Sequence, residues 1–345
     1  MVTVQMFVFF RPLNLLWTHF ASLHASLIPA AQDFLRQNGW LNEDTGSNQP
    51  CISFSGFPES IQNAQEYIQT NGPLVQRVSV CGGKSSVTTL TDNGSIFTEV
   101  LIGGILKHHS QGTSWGGTYS ANDIHIIKWE SKSHRYNHEP YSYEMKILQN
   151  PVGDTGRSLD EAMARDLRRA AEIIFTPVLF ELQDGWPAHL LELKEELQGA
   201  KQVSVRKACF IKSLSQHPAI MPSSDRVSLL TKLDRERYSL CDIMLDPPTA
   251  YPNGWKTVMQ SAIVAEKQAD KDGISLLETF YNKDNRLGHK YDETAGALVR
   301  FIRNIIVHAT QYRQCELEWY FAKIFSRFLP SIAQTLLDTG RMEQL

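Results

Sequence analysis

The sequence contains no CxxC pair. Its five cysteines, Cys51, Cys81, Cys209, Cys241 and Cys315, stand far apart. That argues against a zinc ribbon or a disulfide framework, and for reduced thiols in a cytosolic or nuclear setting. A long apolar run is also missing. Met6 to Phe10 is apolar, but Arg11 and Pro12 end the run, and no basic region precedes it. Nothing approaches the ~20 apolar residues that span a bilayer, so neither a membrane anchor nor a cleaved signal is expected. Charge of one sign is lacking as well. With a formal net charge of −3 there is no global basic signature, and any nucleic-acid contact must come from a local cluster of Lys or Arg.

Familiar ligand motifs fail on inspection. Cys81-Gly82-Gly83-Lys84-Ser85-Ser86 hints at a phosphate loop, but Val78 stands where its first glycine should be, and strand-like VTTLT follows instead of a helix. Asp270-Lys271-Asp272-Gly273 starts like a calcium loop and lacks the later acidic positions. His108, His109, His125, His134, His138 and Glu139 show no ligand spacing, so the histidines read as solvated loop residues and no metal is expected. Trp115-Gly116-Gly117-Thr118-Tyr119 reads as a tight, aromatic-lined turn.

At 345 residues the chain should hold two or three folding units. Residues 13–38 show helical spacing interrupted by Pro29, and 42–50 reads as a polar linker. From Leu74 the pattern turns to strands: 74–80, 86–91, 96–105 and 123–129 alternate or cluster β-branched residues. Asp92-Asn93-Gly94 is a hairpin signal, and Glu130 to Pro140 reads as a loop. From residue 155 onward the periodicity is helical. The expected fold is α+β. A helical segment and linker (1–50) lead to a β-rich region (51–154), then to helices (155–222) and an all-α carboxy-terminal domain (223–345).

The most informative stretch is Leu298 to Ala309. At about 100° per residue, Leu298, Val299, Ile302, Ile305 and Ile306 form one apolar arc. Arg300, Arg303, Asn304 and His308 fall on the other side, with Asn304 and His308 on neighbouring turns. A guanidinium, a carboxamide and an imidazole facing outward would suit an anionic ligand. Spacing alone does not make a nuclease, because an amphipathic helix with Arg and His on its wet face is commonplace.

The segment resembles the RNxxxH helix of the kinase-extension nuclease (KEN) domain, as found in ribonuclease L and the inositol-requiring kinase/endoribonuclease. Further similarities follow in the family's order over about residues 215 to 338. His217-Pro218 with Arg226, Leu229, Leu230 and Leu233 looks like the junction between kinase lobe and nuclease. Trp255 is similar to the family's tryptophan, Phe280-Tyr281-Asn282-Lys283 and Tyr291 precede the helix, and Tyr320-Phe321-Ala322-Lys323-Ile324-Phe325 looks like the closing helix. Upstream, Asp166-Leu167-Arg168-Arg169-Ala170-Ala171, with Ile173, Ile174, Phe175 and Val178, looks like the buried helix F of a kinase C-lobe, with Ala171 in place of the usual glycine. A plain amphipathic helix explains that segment equally well. There is no HRD loop, no DFG and no glycine-rich loop before a VAIK lysine. Phosphoryl transfer therefore lacks its machinery, and residues 155–222 would be a degenerate platform for the KEN helices.

The resemblance implies metal-independent cleavage of structured RNA with no cofactor. His308 would be the general acid, and Arg303 and Asn304 would bind the scissile phosphate. The base is open: the family's tyrosine falls at Lys290, one position from Tyr291, His289 takes the place if one residue is inserted, and Tyr281 is more distant. Arg300 and Trp255 would contact RNA. Ala297, Ile305 and Ala309 depart from the family pattern. The implied partners are RNA and a second KEN chain, as homodimer or heterodimer, in the cytoplasm or nucleus. Two rivals stand beside the enzyme: a non-catalytic KEN module that binds RNA or regulates an active relative, and a β-rich amino-terminal sensor that controls the nuclease.

Overall fold

The computed structural model describes residues 58–130, 141–149 and 158–342, apart from 178, 181, 183–184, 245, 247, 270–271 and 289. The expectations for 1–50, for residues 131–140 of the loop (His134, His138 and Glu139 among them) and for His289 lie outside the described residues.

The chain is α+β, with two small sheets at the amino-terminal end followed by helices. Strand β1 (Ser60–Asn63) leads into helix α1 (Ala64–Asn71) through a capping box: the Asn63 side chain accepts from the Glu66 amide, and Glu66 accepts from the Asn63 amide. Strands β2 (Val75–Val80) and β3 (Ser85–Leu90) form an antiparallel hairpin from Val75↔Leu90 to Val80↔Ser85. Cys81, Gly82 and Gly83 turn the hairpin with φ of 54°, 69° and 87°. The glycine-rich stretch is therefore a strand connection.

The expected hairpin at Asp92-Asn93-Gly94, and the strand over 96–105, are corrected. Both belong to helix α2 (Asp92–Ser110). Thr91 caps it, accepting from the Gly94 amide at 3.0 Å. Glycine at 94 serves close approach, since a Cβ there would lie 1.9 Å from the Leu74 carbonyl oxygen. Phe97, Leu101 and Ile105 then line one fully buried face at helical spacing, and that burial outweighs the β preference of the isoleucines and valine. His108 and His109 lie on this helix and not in a solvated loop; burial pushes the His108 imidazole below its ordinary range.

Strand β4 (Ile124–Glu130) carries His125 and pairs with β1 on one side and with β5 (Tyr141–Ile147) on the other. Helices α3 (Leu159–Ile173), α4 (Leu190–Gln198) and α5 (Ala208–Ser215) pack with this sheet and α2 into a first core running from Ala64 to Ala219. That core draws on residues both from 64–147 and from 163–219. At its centre Asp166 is fully buried. Its carboxylate bonds His109 Nε2 at 3.1 Å and accepts from Ser114 Oγ at 2.7 Å and from the amides of Trp115 and Gly117 at 3.0 and 2.8 Å. The aromatic turn at 115–119 is thus tied to α3.

A second core holds helices α6 (Ser223–Arg235), α7 (Cys241–Met244), α8 (Trp255–Ala269), α9 (Leu276–Arg286), α10 (Ala295–His308), α11 (Gln314–Ile324) and α12 (Phe328–Asp338). It also takes in the hairpin tip, Val80, Cys81 and Val87. The hairpin is fastened to α11, with the Cys81 amide donating to Glu316 and Lys323 to the Ser86 carbonyl, and the two cores meet where His189 Nδ1 bonds the Ser326 carbonyl at 2.7 Å. Arg226 grips Glu318 through two bonds of 2.7 and 2.8 Å and also donates to the Pro218 carbonyl. This buried pair pins the His217-Pro218 junction to α11.

Among the described residues no helix is long and apolar enough to cross a membrane.

Candidate functional site

Helix α10 begins where Thr294 accepts from the Ala297 amide at 3.1 Å. Leu298, Val299, Ile302, Ile305 and Ile306 are all buried, as the apolar arc requires, and Phe301 beside them is buried too. The polar side is less uniform than its spacing suggests. Arg300 and Arg303 are half-buried and His308 is exposed. Asn304 is only 5% exposed, which corrects the outward-facing carboxamide: it sits at the edge of the arc, and the residues before α10 cover it.

What covers it is Tyr291. Asn304 Nδ2 donates to the Tyr291 hydroxyl at 3.1 Å, and Arg303 donates to the Asn304 carboxamide oxygen at 3.2 Å. The Tyr291 hydroxyl in turn donates to Asp284 of α9, itself 3% exposed. A hydrogen-bonded chain thus runs from a buried carboxylate through a phenol and a carboxamide to a guanidinium near the surface. Among the described alternatives for the base, Tyr291 is joined to Asn304. Tyr281 instead packs its ring edgewise against Phe301, 5.9 Å between centroids.

Trp255 is fully buried, which corrects its expected contact with RNA. It stacks on Phe301 (5.6 Å, 24°) and meets the Tyr291 ring edgewise at 6.5 Å. Its indole nitrogen donates to the Asp292 carbonyl, and Lys256 donates to the Tyr291 carbonyl. The start of α8 therefore clamps residues 291–292 in place and fixes Tyr291 against Asn304. Gly254 makes this approach possible: its φ is 85°, and a Cβ there would press within 2.7 Å of the Glu293 carboxylate.

Arg300 and Arg303 both approach Asp234 of α6, at 4.0 and 3.8 Å. At those distances charge attraction operates without a well-formed hydrogen bond. Sequence reasoning passed over Asp284 and Asp234. Asp284 follows Phe280 by one helical turn, so a carboxylate on an otherwise buried face was the available signal. Asp234 lies in a run of charges that reads as a solvated face.

No three His, Cys, Asp or Glu side chains among the described residues come together as a metal-ligand set. Cys81, Cys209 and Cys315 are free thiols. In comparisons with known proteins, the sequence matches no family model and no curated protein.

Proposed function

We propose that this protein is a metal-independent endoribonuclease of the KEN type, cutting structured RNA in the cytoplasm or nucleus without kinase activity. The observation that carries this reading is the linkage of Tyr291, Asn304 and Arg303, residues from two separate segments, with His308 exposed on the next turn of α10.

In the proposed reaction the RNA 2′-hydroxyl attacks the adjoining phosphorus. The Tyr291 oxygen takes the hydroxyl proton while the phenolic proton passes along its existing bond to Asp284. Arg303 neutralises charge building on the phosphate oxygens, with Asn304 holding the array in register. His308 protonates the leaving 5′-oxygen, giving a 2′,3′-cyclic phosphate and a 5′-hydroxyl. DNA, which has no 2′-hydroxyl, would not be cut. Dimerisation with itself or with a related KEN chain belongs to the same proposal.

The test uses a labelled stem-loop RNA in EDTA with wild-type protein and the His308→Ala and Tyr291→Phe variants. Discrete cuts ending in cyclic phosphate, lost in His308→Ala, support the enzyme; cutting that persists in that variant rejects it.

A second reading is a module that binds RNA, or pairs with an active relative, without cutting. One observation favours it: Tyr291 and Asn304 are 7% and 5% exposed and already engaged with each other. RNA binding without cleavage at any protein concentration would select it.

A further inference from the structure

Beside the candidate site, three guanidiniums converge on one carboxylate. Arg237, in the turn after α6, makes a 2.8 Å bond to Asp234 Oδ1. Arg300 and Arg303, one helical turn apart on α10, reach the same carboxylate only at 4.0 and 3.8 Å. The cluster thus carries an excess of two positive charges. Its donors are incompletely matched too: the Nε atoms of Arg237, Arg300 and Arg303 are all buried without a hydrogen-bond partner. The Nε atoms of Arg300 and Arg303 face Asp234 without bonding it, so one carboxylate leaves much of the guanidinium charge unmatched, and an anion at the exposed part of these side chains would balance it.

The arginine side chains keep 26%, 36% and 31% of their surface, so an anion can reach them. Next to them Tyr238 is 77% exposed, the most exposed large apolar or aromatic side chain among the described residues. The Arg237 guanidinium lies 4.7 Å from its ring centroid and also donates to its hydroxyl at 3.2 Å. One ring face is therefore backed by a cation while the ring as a whole stays open to solvent.

We infer that Arg237, Arg300 and Arg303 form a phosphodiester-binding subsite, with Tyr238 as a stacking platform for the adjoining base of single-stranded RNA. Arginine forks suit phosphate oxygens, and an aromatic face beside them is the pairing that holds single strands. An acidic peptide would satisfy the arginines and leave the exposed ring unused. Arg303 belongs to both arrays, so the bound strand would run from the Tyr238 platform along α10 toward His308. The direction of that path rests on the ribonuclease reading, whereas the subsite itself does not.

The test measures fluorescence anisotropy of a short labelled single-stranded RNA on the full chain, at low and physiological salt. The His308→Ala background keeps the probe intact. Replacing Arg237 and Arg300 together with Gln should weaken binding roughly tenfold or more at low salt and flatten the salt dependence. Tyr238→Ala should weaken it about fivefold or more. Asp234→Asn, which removes the competing carboxylate, should tighten it, a direction that loss of fold would not produce. Inorganic phosphate should compete. Unchanged affinity in the Arg237→Gln/Arg300→Gln chain, or polyglutamate binding as tightly as RNA and losing as much affinity in that chain, would overturn the subsite. RNA cleavage that persists beside insensitive binding sinks this inference alone. Sensitive binding without any cleavage by the His308-containing protein sinks the ribonuclease reading alone.

Discussion

Two of the buried polar networks among the described residues differ in how completely they are satisfied. Around Asp166 one fully buried carboxylate meets four donors, from His109, Ser114, Trp115 and Gly117, at hydrogen-bonding distance. Every partner lies inside the first core or in the turn it holds. Around Asn304 the chain from Asp284 through Tyr291 ends at Arg303, whose Nε lacks a partner, and Arg300 repeats the pattern one turn earlier. The first arrangement can only hold a loop in place. The second leaves charge unmatched on half-exposed arginines, as the proposed RNA contact requires. Completeness of hydrogen bonding, more than burial or residue type, separates scaffold from candidate site.

Several substitutions would break or sharpen that contrast. The largest effect is expected at the closed network: Asp166→Ala strands four donors and should cost about 5 kcal/mol in urea unfolding, since removing one partner from a buried charged set costs ~3–5 kcal/mol. A cost near zero would mean that the loop at 114–117 is held by other contacts. Trp255→Ala should cost about 4 kcal/mol, as truncated buried aromatics do. Because it unclamps Tyr291, RNA cleavage should fall further than the loss of folded protein explains.

The seam between the cores gives a pH effect of intermediate size. His189 and His217 are buried, and desolvation lowers both imidazoles from 6.5 to about 3. Between those values the unfolded chain binds protons that the folded chain refuses. Stability is thus complete above pH 6.5 and is lost as pH falls toward 3, by up to about 1.4 kcal/mol per pH unit for each histidine. His189 sits at φ 66°, a conformation that asparagine tolerates. His189→Asn should therefore fold and should halve the acid slope; an unaltered slope would assign the sensitivity elsewhere.

At the open network the expected stability effects shrink while the functional ones grow. Tyr291→Phe leaves Asp284 short of a donor and should cost ~1–3 kcal/mol, yet cleavage should drop by about a hundredfold or more if Tyr291 is the base. Arg300→Gln, replacing a part-exposed side chain at a loose 4.0 Å contact, should change stability by less than about 0.5 kcal/mol. A larger loss would make the arginine cluster a scaffold like Asp166.

Much of this was legible in the sequence where the signal is local. The apolar arc of α10 is buried as its period demands, and the expected strands coincide with strands over 75–80, 86–90 and 124–129. The errors arose where a distant partner decides. Residues 96–105 look like strand by composition but are helix, because Thr91 starts a helix there and Phe97, Leu101 and Ile105 find a core. Trp255 could equally have faced solvent or the interior until Phe301 and Tyr291 were placed beside it.

Periodicity, the absence of paired cysteines and the lack of one-signed charge were determined by the sequence alone, since each depends on neighbours along the chain. Tertiary structure alone decided that Asn304 turns inward, that Asp284 backs Tyr291, and that Asp234 gathers three arginines. Those outcomes depend on groups distant in the chain meeting in a low-dielectric interior. There each polar atom must find a partner or remain unmatched.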